Sequence, residues 1–109
     1  MLNTDYGIGE VRALASQIEN ETDKVGFKNV FDNSNGGVSI LSFRAGQSLA
    51  EHLAPAEVMV YVMDGEVRFT VEGKLRVLKS GDFMLMCEGT PHSVVAKSDA
   101  KVMLVKIKP

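Results

Sequence analysis

The sequence has a single cysteine, no cluster of basic residues and no long apolar run, and each absence excludes a class of protein. One cysteine, Cys87, cannot form an internal disulfide and is typical of a reducing compartment. The net charge of -2 leaves no basic patch for nucleic acid or an anionic membrane. No apolar run is long enough to span a membrane, and the first residues lack a basic and apolar signal region. We therefore expect a cytoplasmic protein that binds neither nucleic acid nor membrane.

The 109 residues are enough for one domain with its own core, but too few for two. Between Ile8 and Glu21 the apolar residues recur at helical spacing, which predicts a short amphipathic helix. Asp23 and Gly26 interrupt this pattern, and β signals dominate from there on. We therefore expect a helical segment over residues 1–23 and a β-rich body over residues 24–109, within a single domain.

The β-rich body contains many short runs of β-branched or aromatic residues, separated by turns rich in Gly, Asn and Asp. The predicted strands are 25–31, 38–43, 58–63, 67–71, 75–78, 83–86, 93–96 and 102–107. Asp64-Gly65 lies between two of them and predicts a tight hairpin turn. Many short strands with glycines at the corners favour a β-sandwich or barrel over an α/β fold, so we predict an all-β protein.

Two segments combine glycines and histidines at regular spacings. The residues concerned are Gly46, His52 and Gly65 in the first segment, and Gly81, Gly89 and His92 in the second. In both segments the spacing resembles the two signature motifs of the cupin superfamily. The resemblance covers about residues 24–109 and implies a double-stranded β-helix, or jelly-roll, barrel of the small single-domain cupin type.

Four motif positions depart from the cupin pattern. Ala54 stands where the family has its second His, Val58 where it has Glu, Cys87 where it has Pro, and Ala96 where it has Asn. In cupin metal sites the histidines and the glutamate bind a divalent ion together. The resemblance leaves only His52 and His92 here, which implies a weak site for zinc, nickel or copper, and no metal at full occupancy. The alternative is that His52 lines a pocket and bonds to a backbone carbonyl or water.

Glu57 and Cys87 are the nearest replacements for the missing ligands. Glu57 is one residue out of register, and such a shift turns a strand side chain to the opposite face unless a bulge near Pro55 corrects it. We therefore expect Glu57 on the surface. Cys87 has Glu88 beside it and no basic neighbour, which disfavours a thiolate ligand, so we expect it to be a buried, small apolar residue.

Alternation along residues 58–63 places three valines inside the barrel and Met59, Tyr61 and Met63 outside. We expect an apolar ligand pocket around the two histidines, lined by Val58, Val60, Phe69, Met84, Met86 and Val94. The outward Met-Tyr-Met stripe needs a cover of its own, and cupins commonly pair through their sheets. We therefore expect a homodimer.

Three functions remain open at this point. The first is a module that binds a small molecule in the barrel, and we expect this one. The second is a metal-dependent cupin enzyme, an oxygenase or isomerase of a small organic substrate, that uses His52 and His92. The third is a metal-free enzyme in which the same two histidines act as catalytic acid and base. The sequence lacks basic residues around the expected pocket, which counts against a nucleotide-sugar substrate.

Overall fold

A computed structural model describes residues 2–109 and arranges them in two antiparallel β-sheets that pack face to face. The strands are β1 (Gly26–Asn33), β2 (Gly36–Phe43), β3 (Ser48–Leu53), β4 (Glu57–Asp64), β5 (Glu66–Val71), β6 (Lys74–Lys79), β7 (Phe83–Met86), β8 (Pro91–Ala96) and β9 (Ala100–Ile107). The first sheet has the order β1-β2-β9-β4-β7, and the second has the order β3-β8-β5-β6. This jelly-roll arrangement confirms the all-β prediction.

The strand β3, Ser48–Leu53, is the element that the sequence pattern does not reveal. It contains no Val, Ile or Thr, so its intrinsic β propensity is low. It is held in place by pairing with β8, where Leu49 lies opposite Val94 and His52 opposite His92. Tertiary pairing therefore outweighs propensity in this strand.

The predicted helix between Ile8 and Glu21 is wrong, because only a single 3-10 turn forms there, Leu14–Gln17. Its N-terminal neighbour Ala13 provides no side-chain cap, and no acidic residue lies in the first turn. The apolar residues also do not share one buried face, since Val11 is 98% exposed whereas Ile18 is buried. No helix within residues 2–109 has the length and apolar character needed to cross a membrane.

Instead of a helix, the N-terminal segment lies as extended chain over part of the outer face of the first sheet. The Ser42 hydroxyl on β2 donates a hydrogen bond to the Glu19 carbonyl at 2.8 Å. The Lys101 ammonium on β9 donates to the Ala15 carbonyl at 2.6 Å. These contacts explain why Ser42, which faces away from the core, is buried.

The core lies between the two sheets, where the inward side chains of both layers meet. It contains Phe43, Ala54, Val58, Val60, Val62, Val67, Phe69, Leu78, Met86, Val94, Ala96, Ala100 and Val102. The three valines of β4 are buried, while Met59, Tyr61 and Met63 face outward and stay partly exposed. The alternation predicted for this strand is therefore present.

Gly65 connects the two sheets rather than closing a hairpin. It follows β4 in the first sheet and precedes β5 in the second, so the predicted hairpin at Asp64-Gly65 is wrong. The residue has a φ of +81°, and a Cβ atom there would overlap the carbonyl oxygen of Asp99. Only glycine avoids both the left-handed strain and this contact.

Candidate functional site: a cavity between the sheets

An apolar cavity of about 330 Å³ lies between the two sheets and contains both motif histidines. It is lined by Phe27, Leu41, Leu49, His52, Leu53, Pro55, Val58, Val60, Phe69, Met86, His92, Val94, Leu104 and Lys106. Exposed side chains such as Phe27 and Leu53 belong to this lining, so the cavity is open to solvent on that side. Most of the wall is apolar, with two imidazoles and one ammonium as its polar groups.

His52 reaches the cavity because β3 contains one extra residue. Three steps along β3, from Leu49 to His52, correspond to two steps along β8, from Val94 to His92. In a regular strand Leu49 and His52 would face opposite sides, since they are an odd number of residues apart. The bulge turns both side chains into the cavity, and the His52 ring bonds to the carbonyl of Ala50 within it. His52 and Val58 lie on strands of different sheets, because the chain changes sheets between β3 and β4.

His92 enters the cavity from β8 and is only 6% exposed. The preceding loop is tied to Ala54, the residue that directly follows β3. The N–H of Ala54 donates to the Thr90 carbonyl at 3.0 Å, and the N–H of Gly89 donates to the Ala54 carbonyl at 2.8 Å. The Phe69 ring stacks on the His92 ring with 6.3 Å between centroids. Backbone and aromatic contacts therefore fix both the position and the plane of this imidazole.

The two imidazoles lie against each other, with ring centroids 4.1 Å apart and planes inclined at 59°. In each ring Nδ1 lies 3.0 Å from the carbonyl oxygen two residues earlier, Ala50 for His52 and Thr90 for His92. A carbonyl only accepts, so each ring donates through its Nδ1–H. In a neutral ring the lone pair is then on Nε2, where it can accept a hydrogen bond or bind a metal. Both neutral histidines therefore offer a hydrogen-bond acceptor, the Nε2 atom.

The structure places five of the six predicted pocket residues in the cavity wall. These are Val58, Val60, Phe69, Met86 and Val94. Met84 is the exception. It lies on the edge strand β7, beyond β4, and faces a hollow beside Leu75 and Leu78 of β6 instead. The assignment of Met84 to the pocket is therefore wrong.

Lys106 is the functional candidate that the sequence analysis missed. It lies on β9, where Val102 and Leu104 point into the barrel, and the same alternation directs Lys106 into the cavity. Extending the buried pattern of residues 102 and 104 by two positions would have predicted this. The sequence-based expectation that no basic residue surrounds the pocket is therefore wrong, because Lys106 lines it.

The residues around the histidines do not fit the four-ligand metal site that the cupin resemblance implies. Ala54 and Val58, at the positions of the missing ligands, are apolar and buried. No group of three or more His, Cys, Asp or Glu side chains suited to a metal ion occurs within residues 2–109. Two imidazoles alone fall short of the three or four protein ligands that zinc sites usually have.

Neither proposed substitute ligand reaches the cavity. Glu57 is exposed, and its carboxylate accepts a hydrogen bond from the N–H of Glu88 at 2.9 Å. Cys87 is exposed on the outer side of the first sheet, beside Leu85 and Ile107, so the expectation of a buried thiol is wrong. It directly follows the inward-facing Met86 at the end of β7, and alternation turns it outward.

Comparisons with known proteins agree with this architecture. The sequence matches the family model described as a cupin domain over residues 39–108. No curated protein matches the sequence. A conserved protein of unknown function from Streptococcus pyogenes has a TM-score of 0.88 at 23% identity, covering 97% of this chain and 93% of that one.

Two further solved structures are similar. A cupin superfamily protein from Desulfitobacterium hafniense has a TM-score of 0.88 at 19% identity and 97% coverage of both chains. At such identities the likeness shows the fold alone. A cupin 2 conserved barrel domain protein from Leptotrichia buccalis is 33% identical, with a TM-score of 0.81, over 86% of this chain and 46% of that longer one.

Proposed function

We propose that this chain, which belongs to the cupin family, binds a small organic molecule in the cavity between its sheets, without a resident metal. A fold shared by many activities does not fix one of them, so the proposal depends on the site itself. The observation that carries it is the cavity of about 330 Å³, apolar on most of its wall, with a few polar groups that converge on it. This is the usual character of a small-molecule site, at the small end of the range.

The histidine pair gives the site its directional contacts. Both Nε2 atoms accept when the rings are neutral, so they can accept a hydrogen bond from a hydroxyl group where the ligand has one. Phe69 and the loop before His92 hold that ring in place before a ligand arrives. A site fixed in advance loses little entropy when it binds.

Native mass spectrometry of protein purified without an affinity tag tests this proposal. We expect the protein to carry an organic molecule that is released on denaturation. The variant Leu104→Trp, which fills the cavity from β9, should lose that molecule while keeping its fold. Leu75→Trp is the matched control, because Leu75 is exposed on the second sheet and does not line the cavity. A retained molecule in the filled variant would place binding elsewhere and contradict the proposal.

The alternative function is a metal-dependent enzyme, an oxygenase or isomerase that uses His52 and His92. The close approach of the two imidazoles favours it. Elemental analysis of the same untagged protein separates the two. We expect no stoichiometric iron or manganese, since the carboxylate that these metals favour is missing from the cavity. Zinc, nickel or copper should be present only in part. Iron at full occupancy would contradict the proposal and support the alternative.

Restoring the missing ligands should create a metal site. In the double variant Ala54→His with Val58→Glu, we expect one tightly bound divalent ion per chain, because Val58 lines the same cavity as the two histidines. Zinc titration followed by calorimetry measures this, with each single variant as a control. A folded double variant that gains no metal over the wild type would show that these positions do not converge on the histidines.

We also propose that two copies of the chain associate through the outer face of the first sheet. Phe83 and Leu85 on β7 are 63% and 68% exposed there, and Ile107 on β9 is exposed beside them. The N-terminal segment covers the part of this face around Ser42 and Lys101, but not the part formed by β4 and β7. A second copy would cover that remaining apolar surface.

A further inference from the structure

Lys106 brings a positive charge into a cavity wall that is otherwise apolar on the side of the first sheet. Its neighbours across the ladder are Val58 on β4 and Gly37 on β2, and neither carries a charge. On its own strand the inward neighbour is Leu104. The Lys106 residue is partly buried, and these neighbours offer its ammonium no polar partner.

No carboxylate of the protein shares the cavity with this ammonium. The lining contains neither Asp nor Glu, and the ion pairs found among residues 2–109 all involve arginines. In the same ladder row, Asp32 on β1 pairs with Gly37 on β2, the residue opposite Lys106. Its carboxylate accepts hydrogen bonds from the Asn3 side chain at 3.1 and 3.4 Å. The charge of Lys106 is therefore available to a bound anion.

A second polar group lies beside this part of the wall. Ser39 faces inward on β2, opposite Leu104, and is only 5% exposed. Its hydroxyl has no hydrogen-bond partner among the described residues. Buried hydroxyls are normally satisfied, so a polar group without a partner marks a place where water or a ligand atom completes the structure. Ser39 lies opposite Leu104 and is not one of the residues that line the cavity, so its hydroxyl belongs to the buried interior beside the wall.

We infer that the ligand of this cavity is a small apolar carboxylic acid whose carboxylate is bound by Lys106. This rests on the proposed function, because it specifies the ligand of the same cavity. The apolar body lies between side chains such as Val60 and Phe69, and the histidine pair faces it from the second sheet. One ammonium suits a carboxylate. A phosphate group, with more charge and more acceptor atoms, would require further donors.

The experiment compares an acid with its amide of the same shape. Hydrocinnamate has an apolar ring and a carboxylate that is ionised at neutral pH, and hydrocinnamamide lacks the charge. Calorimetry at low ionic strength should show that the wild-type protein binds the acid about tenfold more tightly than the amide, the gain typical of a charged hydrogen bond.

The variants assign that preference to one side chain. Lys106→Met keeps an unbranched side chain and removes its charge, so the acid and the amide should bind within about twofold of each other. Lys106→Arg keeps the charge and should keep the preference. Lys97→Met is the matched control, since it changes the net charge equally on an exposed residue outside the cavity lining.

Each outcome decides between two claims. If the acid and the amide bind equally to the wild type, or if the preference survives in Lys106→Met, the assignment of Lys106 is wrong while the cavity remains a ligand site. If neither compound binds, and no other small apolar compound does, the proposed function fails and the inference fails with it. Loss of the preference in Lys106→Met alone supports both.

Discussion

Single residues decide which side chains reach the cavity. One extra residue in β3 turns His52 inward, and the strand pairing then sets it opposite His92. Around His92, the loop is held by residues that bind no ligand themselves. The Glu57 carboxylate accepts a hydrogen bond from the N–H of Glu88, and Ala54 exchanges backbone hydrogen bonds with Gly89 and Thr90. We therefore expect Glu57 to help hold the loop that precedes the second histidine.

Removing the Glu57 carboxylate should loosen that loop. We expect Glu57→Ala to lower the free energy of unfolding by about 1 kcal/mol, the usual net contribution of one hydrogen bond. Glu57→Gln keeps an acceptor oxygen and should lose less. Urea unfolding measures both, and Glu51→Ala is the control, because Glu51 is also exposed and lies on the neighbouring strand β3. Equal stability of all these variants would show that the contact to Glu88 contributes nothing.

At the scale of elements, the strands were predictable where side chains alternate and unpredictable where pairing alone holds them. The valines of β4 indicate their strand by themselves, whereas Ser48–Leu53 forms a strand only against β8. Helical spacing between Ile8 and Glu21 was misleading, because no sheet face receives all of those apolar side chains together. The histidines could be identified from spacing. The bulge that orients His52 could not, since it depends on the partner strand.

Two glycines with similar backbone angles offer a test of how the elements join. Gly65 and Gly81 have φ values of +81° and +93°, but a Cβ atom would overlap backbone only at Gly65. Gly81→Ala should therefore cost about 1–2 kcal/mol from left-handed strain alone. Gly65→Ala should cost roughly 1–3 kcal/mol more, because the backbone near Asp99 must move. Chemical unfolding measures both, and equal losses would mean that the crossover at Gly65 is less tightly packed than described.

At the scale of the whole molecule, the two faces of the first sheet have different surroundings. Its inner face packs on the second sheet and forms the cavity, while its outer face carries Met59, Tyr61, Met63, Phe83 and Leu85. A sheet that is apolar on both faces needs a cover on each. The N-terminal segment supplies one part of the outer cover, and a second copy of the chain would supply the rest.

A charge at the centre of the outer face should separate the two copies. An interface of ordinary size buries roughly 800 Å² on each partner, and an isolated carboxylate inside it would be strongly unfavourable. We therefore expect Tyr61→Asp to sediment as a monomer at micromolar concentration, where the wild type sediments as a dimer. Leu75→Asp, on the exposed edge strand of the second sheet, is the control. A monomeric wild type would refute the dimer.

The central claim is that the space between the sheets binds a small organic molecule, and methyl NMR tests it most directly. Methionine methyl groups label both sides of the first sheet, since Met86 lines the cavity whereas Met63 and Met103 lie on the outer face. On titration with hydrocinnamate, the account predicts saturable shifts of the Met86 methyl signal, with the signals of Met63 and Met103 unchanged. An unchanged Met86 signal at saturation, or shifts confined to the outer methionines, would contradict it.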